Sequence, residues 1–126
     1  MPLISIGPKN TEVQDALSAK MTMIRPALKR VVFNVCGFPE NDVIVNLLHS
    51  DIVDADNFAA DFVVFADTCP HKVLEARANE LRTDIANILI DLGFTDSVFE
   101  VWLRFLPGPW CLVVHGRIID TVDHPR

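Results

Sequence analysis

The order in which two hydrophobic periodicities alternate constrains this chain more than any other feature. Residues 3–6 (Leu-Ile-Ser-Ile) read as a short strand, ended by Gly7 and Pro8. Asn10 or Thr11 can cap a helix beginning there, with Glu12 in its first turn. Apolar side chains then recur at Val13, Leu17, Met21, Ile24, Leu28, Val31 and Val35. Steps of three and four residues put them on one face of a helix. Pro26 lies inside this pattern and predicts a kink, or a split into two helices, because it lacks an N–H and clashes with the preceding turn. Gly37 and Pro39 close the segment, and residues 42–49 (DVIVNLLH) are a second, β-branched strand.

The same succession then returns. After the acidic connection "DIVDADNFAA", residues 61–67 (DFVVFAD) read as a third strand. "TCPH" turns into a helix over residues 72–92, with Val73, Leu74, Leu81, Ile85, Ile88, Leu89 and Leu92 on its apolar stripe and Gly93 as its C′ residue. Residues 97–105 (SVFEVWLRF) form a fourth strand, "LPGPW" a loop, and "CLVVHG" with "RIIDTV" a terminal hairpin.

Two β-α-β units in one small domain make a four-stranded sheet with both helices on one face, an α/β (α+β) architecture. The 126 residues suffice for one domain with a real core and are too few for two. The first unit covers about residues 2–53, the second about 60–106, and the tail about 107–126. In the fourth strand Phe99, Val101, Leu103 and Phe105 alternate with Glu100, Trp102 and Arg104. The first set suits packing under helices. The second mixes acid, indole and base, as in a site or subunit interface, or as in a plain exposed face with a surface ion pair.

The net charge of −6 argues against a nucleic-acid partner, which needs a basic face. No apolar run approaches the ~20 residues of a membrane span, and the start carries no basic and apolar pattern of a signal peptide. Cys36, Cys69 and Cys111 are odd in number and lack CxxC spacing, which fits reduced thiols in a cytoplasmic protein. His49 and His71 sit near Cys or Asp, but no pair has metal-ligand spacing on one element, so no metal site is expected.

Several side chains are candidates for chemistry. Pro2 follows Met1 directly; it is either an ordinary strand-starting residue or a secondary amine released by loss of the methionine. Lys72 stands in the first turn of the second helix, where the macrodipole disfavours a cation, with His71 beside it. Free N–H groups, a lysine and a histidine would suit a carboxylate; alternatively the lysine is simply solvated. Arg104 shares a strand face with Glu100 and Trp102 and is either a second cation or the partner of Glu100. Glu100 could activate water. Arg25, Lys29 and Arg30 read as a solvated basic face, Cys69 as a packing residue or a thiolate favoured by a helix N-terminus, and His49 as a hydrogen-bonded edge residue.

The stretches "MPLISIG", "FPENDVIV" and "ADFVVFADTCPHKVLEAR", the last a strand-turn-helix ending in Leu74-Glu75-Ala76-Arg77, together resemble the tautomerase superfamily over roughly residues 2–110. Within it the chain is most similar to the 5-carboxymethyl-2-hydroxymuconate isomerase type, which fuses two β-α-β units in one subunit. The resemblance implies that Pro2, freed of methionine, is a catalytic base. It places Lys72 where this type has a substrate-binding arginine, Ile44 where a second arginine is usual, and Trp110 near the aromatic wall of the pocket. The loss of a guanidinium at Ile44 weighs against the usual muconate-type dicarboxylate. Implied with it are a small carboxylate substrate, no cofactor and a homotrimer with three sheets around a common axis.

A tautomerase moves a proton between carbon and oxygen and needs an unprotonated base. A free α-amino group titrates at about 7.7–8.0, and burial among apolar walls lowers that; Ile4, Ile6 and Trp110 are the candidate walls. The developing enolate needs a positive partner, Lys72. The expected activity is therefore keto–enol tautomerisation of a small 2-oxo or enol acid. Dehalogenase, hydratase or decarboxylase chemistry and a non-catalytic binding or assembly role are the alternatives.

Overall fold

The computed structural model describes residues 2–50, 60–68, 72–105, 113–114 and 118–119. Its strands are β1 (Leu3–Pro8), β2 (Ile44–Leu47), β3 (Phe62–Thr68) and β4 (Phe99–Phe105), with a separate antiparallel pair, β5 (Val113–Val114) and β6 (Ile118–Ile119). Its helices are α1 (Thr11–Ser18), α2 (Met21–Cys36), α3 (Lys72–Ala76) and α4 (Ala78–Asp91). The four-stranded sheet has the order β2-β1-β3-β4. β1 runs parallel to β2 and β3 parallel to β4, while β1 and β3 are antiparallel at the centre. Two β-α-β units thus meet along their first strands.

One face of the sheet carries the core. Ile4, Ile6, Val43, Val45, Phe62 and Val64 bury against Leu17, Ile24, Leu28 and Val35 of the first helical arm and Leu81, Ile85 and Leu89 of the second. These are the 3.6-period stripe positions, and the alternation in the strands supplies the opposing layer. Val73 departs from its stripe: it is exposed on the short α3. On the other face Ile44, Leu48, Val98 and Trp102 are exposed.

Each helical arm is broken, and neither break falls where sequence alone puts it. Pro26 sits inside α2. Its missing N–H would have met the carbonyl of Thr22, and both residues are exposed, where water can serve that carbonyl. The first arm turns instead at Ala19–Lys20. There the Lys20 N–H donates to the Leu17 carbonyl, three residues back, at 3.0 Å. The Lys20 ammonium crosses to the Leu92 carbonyl at 2.7 Å and stands 5.3 Å from the centre of the Phe94 ring. A cation there complements the C-terminal end of α4.

The expected single helix over 72–92 bends at Arg77 (φ −113°, ψ 20°). Its guanidinium donates to the Val35 carbonyl at the end of α2, 2.6 Å, and forks onto Glu80 at 2.7 and 2.6 Å. That fork holds the Glu80 carboxyl below its ordinary pKa. Each break therefore carries a cation that fastens one arm to the other. The remaining boundaries shift modestly. β1 continues through Gly7 to Pro8, β2 is shortened to Ile44–Leu47 by a 3-10 turn at Glu40–Asp42, and Asn10 caps α1 by accepting the Val13 N–H at 2.9 Å.

Gly37 (φ 79°) and Gly93 (φ 111°) close the two arms in backbone conformations that side chains rarely adopt. At Gly93 a Cβ would also meet the Lys20 ammonium at 2.3 Å. Gly93→Ala is expected to cost about 1–2 kcal/mol from the backbone alone, with further loss from displacing Lys20. Gly37→Ala, where the Cβ would meet nothing within 4 Å, should show the backbone cost only. Urea denaturation of the two variants side by side measures the difference.

The central pair relates the two units. A two-fold axis through the Ser5–Phe65 pair carries each residue of β1 sixty positions on, so that Ile4 falls on Val64 and Ile6 on Ala66. The same operation carries Ile44 of β2 onto Glu100 of β4. Under this operation Pro2 falls on Phe62. Phe62 is fully buried, stacked at 4.8 Å on Phe99 and edge-on at 5.5 Å to Phe94. Where the first unit begins in a proline, the second is filled by three phenyl rings.

Candidate functional site

Pro2 is buried at the entrance to β1. Its carbonyl accepts the Ile44 N–H at 3.1 Å, so the residue is fixed in the sheet even though it precedes the strand proper. The ring faces the helices, like Ile4, and lines a narrow recess of about 10 Å³, room for about one water. The other apolar walls are Ile4, Val32 of α2, Ala66 of β3, Leu81 of α4, and Leu103 and Phe105 of β4. Asp67 and Thr68, at the end of β3, complete it. Parallel and antiparallel pairing together bring the start of β1 and the ends of β3 and β4 to one end of the sheet. Ile6, expected as a wall, lies deeper in the core and does not line the recess.

Arg104 is on the opposite face and belongs to Asp67, not to Glu100. Its Nε donates to Oδ1 at 2.5 Å and its Nη2 to Oδ2 at 2.8 Å, with the guanidinium carbon 4.2 Å from the centre of the Phe65 ring. The reason is geometric. Glu100 and Arg104 are four residues apart on an extended strand, roughly 13 Å, whereas Asp67 is directly opposite Arg104 in the β3–β4 register. The fork pushes the pKa of Arg104 up. Asp67 is largely covered, with 14% of its side chain exposed, against 50% for Arg104. Glu100 accepts the Trp102 indole N–H at 2.9 Å and is exposed.

Lys72 opens α3, as the sequence places it, but that helix has five residues, so the macrodipole argument for an anion loses its force. The side chain of Lys72 and all of His71, Trp110 and Cys69 lie outside the described residues. Arg25 and Arg30 are not simply solvated: Arg25 donates to the Val45 carbonyl at 3.1 Å and Arg30 pairs with Glu40 at 3.5 Å. His49 meets Gln14 at 3.3 Å, as befits an edge residue. Cys36 is half-buried, and desolvation pushes its thiol up to about 11, so it is no nucleophile near neutral pH.

Sequence reasoning missed Asp67 and the helix residues Val32 and Leu81. Leu81 is legible only as a position of the core stripe, and Val32 falls outside the stripe read from the sequence. Asp67 closes the apolar run DFVVFAD, and its role appears only once β4 is set beside β3.

Solved structures of the same fold cover nearly the whole chain. The wild-type "F6 fused 4-OT" asymmetric trimer matches at 12% identity with a TM-score of 0.63, over 92% of this chain and 94% of the other. A malonate semialdehyde decarboxylase matches at 14% identity and a TM-score of 0.60, over 91% and 92%. N1, a member of the cis-3-chloroacrylic acid dehalogenase family, matches at 13% identity and 0.59, over 94% and 83%. No protein-family model and no curated protein sequence matches the chain. The likeness is one of fold, and it meets the expectation of a tautomerase-type α+β architecture.

Proposed function

We propose that this chain, built on the tautomerase fold, is a cofactor-free keto–enol tautomerase of a small 2-oxo or enol carboxylic acid, with Pro2 as general base. The observation that carries this reading is the burial of Pro2 against an apolar recess at the end of the sheet. Loss of Met1 would turn the Pro2 nitrogen into a secondary amine. Carbon walls disfavour its charged form and hold its pKa down, so that it is free to take a proton near neutral pH. The hydrogen bond from Ile44 to the Pro2 carbonyl fixes the ring, which suits a base that removes a proton from carbon and returns it nearby.

In this reading Lys72 and His71 meet the carboxylate or the developing enolate, Trp110 closes the apolar wall, and Arg104 is a further cation at the same end of the sheet. Dehalogenase, hydratase or decarboxylase chemistry at the same base is the neighbouring possibility, since structures of this fold include proteins named for dehalogenation and decarboxylation. A non-catalytic assembly role is the second reading, favoured by the engagement of Arg104 with Asp67. The homotrimer belongs to the proposal as well. Ile44, Leu48, Val98 and Trp102 give the open sheet face exposed apolar area beside Glu100 and the Asp67–Arg104 pair, which supports a face that meets its own copies.

The test is chemical. Mass spectrometry of the purified chain reads whether methionine is gone and the amine unblocked. Ketonisation of phenylenolpyruvate is then followed for this form and for one carrying a residue that cannot be removed ahead of Pro2. The free amine should turn over substrate and the extended form should not. Equal rates would refute the base.

A further inference from the structure

The strand β4 reads alike in both directions about Trp102. Val101 and Leu103 flank it, then the opposite charges Glu100 and Arg104, then Phe99 and Phe105. We propose that the free edge of β4 is a self-complementary interface, through which two copies of this chain join their sheets with one β4 antiparallel to the other about a two-fold axis at Trp102. The contact runs along the edge of the sheet, leaves the open face uncovered, and does not rest on the reading of Pro2.

Three observations carry it. First, the two edges of the sheet differ. On β2, Ile44 and Leu48 donate inward to the Pro2 and Ile6 carbonyls, which leaves Val45 facing out. Arg25 takes the Val45 carbonyl at 3.1 Å, so this edge of four residues is short and blunted. β4 has seven residues, keeps unbroken register with β3 over all of them, and contains no proline, glycine or lysine. Among the described residues no second strand and no side chain bonds its backbone. A long, regular edge of this kind is a template for another strand.

Second, the charges select the partner and its direction. Antiparallel about Trp102, Glu100 of each copy stands opposite Arg104 of the other, whereas a parallel pairing in register would set like charges together. Both groups have capacity left: among the described residues, Glu100 uses Oε1 for Trp102, and Arg104 uses Nε and Nη2 for Asp67. Third, the helix-facing side of β4 is unfinished. Phe99, Val101, Leu103 and Phe105 are only half-buried, while Ile4, Ile6, Phe62 and Val64 on the inner strands are fully buried. Open clefts of about 520 and 600 Å³ lie between α4 and this edge. A second β4 would continue the core layer beneath them, with Val101 opposite Leu103 and Phe99 opposite Phe105.

Disulfide trapping on the full chain tests the register. Opposed Cα atoms of an antiparallel pair lie about 4.5–5.5 Å apart, within disulfide reach. Trp102 is 54% exposed, so its replacement spares the core. Oxidised Trp102→Cys should become a covalent dimer joined through position 102, as read by peptide mass mapping. Val98→Cys, equally open to solvent but about 26 Å from its own copy in this register, should stay a single chain. Glu100→Cys and Arg104→Cys, each about 13 Å from its own copy, should cross-link only when mixed. Glu100→Arg sets like charges opposite one another at two places. In sedimentation it should need at least about tenfold more protein to associate, with its thermal midpoint as the control for folding. The native assembly should hold an even number of chains: two, or six where the open face also gathers three.

A Trp102→Cys variant that stays single overturns the proposal, as does equal cross-linking of Val98→Cys or native association in folded Glu100→Arg. A native assembly of one chain overturns it too. An assembly of three does the same and leaves the open-face homotrimer standing.

Discussion

Pro2→Ala is expected to lower kcat/KM for phenylenolpyruvate ketonisation by about 10²–10⁴-fold, the usual contribution of a positioned general base. Alanine would still present an amine once methionine is removed, so the expected loss comes from three differences. The amine becomes primary. It also turns about a free N–Cα bond, where the pyrrolidine ring had fixed φ. Finally, it loses the ring carbons that exclude water from the recess, and a wetter amine is more readily protonated. The carbonyl that accepts the Ile44 N–H is retained, so β1 should remain paired. Circular dichroism and the thermal midpoint serve as the control for folding. A rate within threefold of native in a folded variant would remove Pro2 from the chemistry.

Phe62→Ala should have the largest effect on stability, about 3–5 kcal/mol. Phe62 is fully buried, and two of its neighbours, Phe94 and Phe99, meet it ring to ring. These contacts add to the transfer and cavity costs. The cluster joins the start of β3 to β4 and to the turn after α4, so neither Phe94 nor Phe99 can close the gap without moving its backbone. A fall in melting temperature on the order of 10 °C is expected for a chain of this size. Phe62→Leu, which keeps most of the volume, should recover more than half of the loss. A midpoint unchanged in Phe62→Ala would show that the three rings do not act together.

Much of the architecture was legible because burial follows period. The spacing of Leu17, Met21, Ile24, Leu28, Val31 and Val35 is itself the geometry of a buried stripe, and all six are buried. The alternation in FEVWLRF likewise sorts the two faces of β4. What could not be read depends on partners distant along the chain. The arms break at Lys20 and Arg77 because the Leu92 and Val35 carbonyls are there to receive those cations, not because of any local breaker. Pro26, the local breaker, is accommodated. The partner of Arg104 could not be read either, because register between strands is invisible in one sequence. At the site, Pro2 could be singled out by position and resemblance. The recess around it is assembled from five elements and belongs to no stretch of sequence.

The axis through Ser5 and Phe65 separates what the two halves answer for. A hollow kept open near a reactive group weakens cohesion, and a fold repeated twice can confine that weakness to one copy. Here the end of the sheet at Phe62 is packed solid by three phenyl rings, and the end at Pro2 is left to vary. Substitutions around the proline should alter turnover more than melting, and substitutions around the phenylalanines should do the reverse. A library spread evenly over both ends of the sheet would sort into those two phenotypes by end.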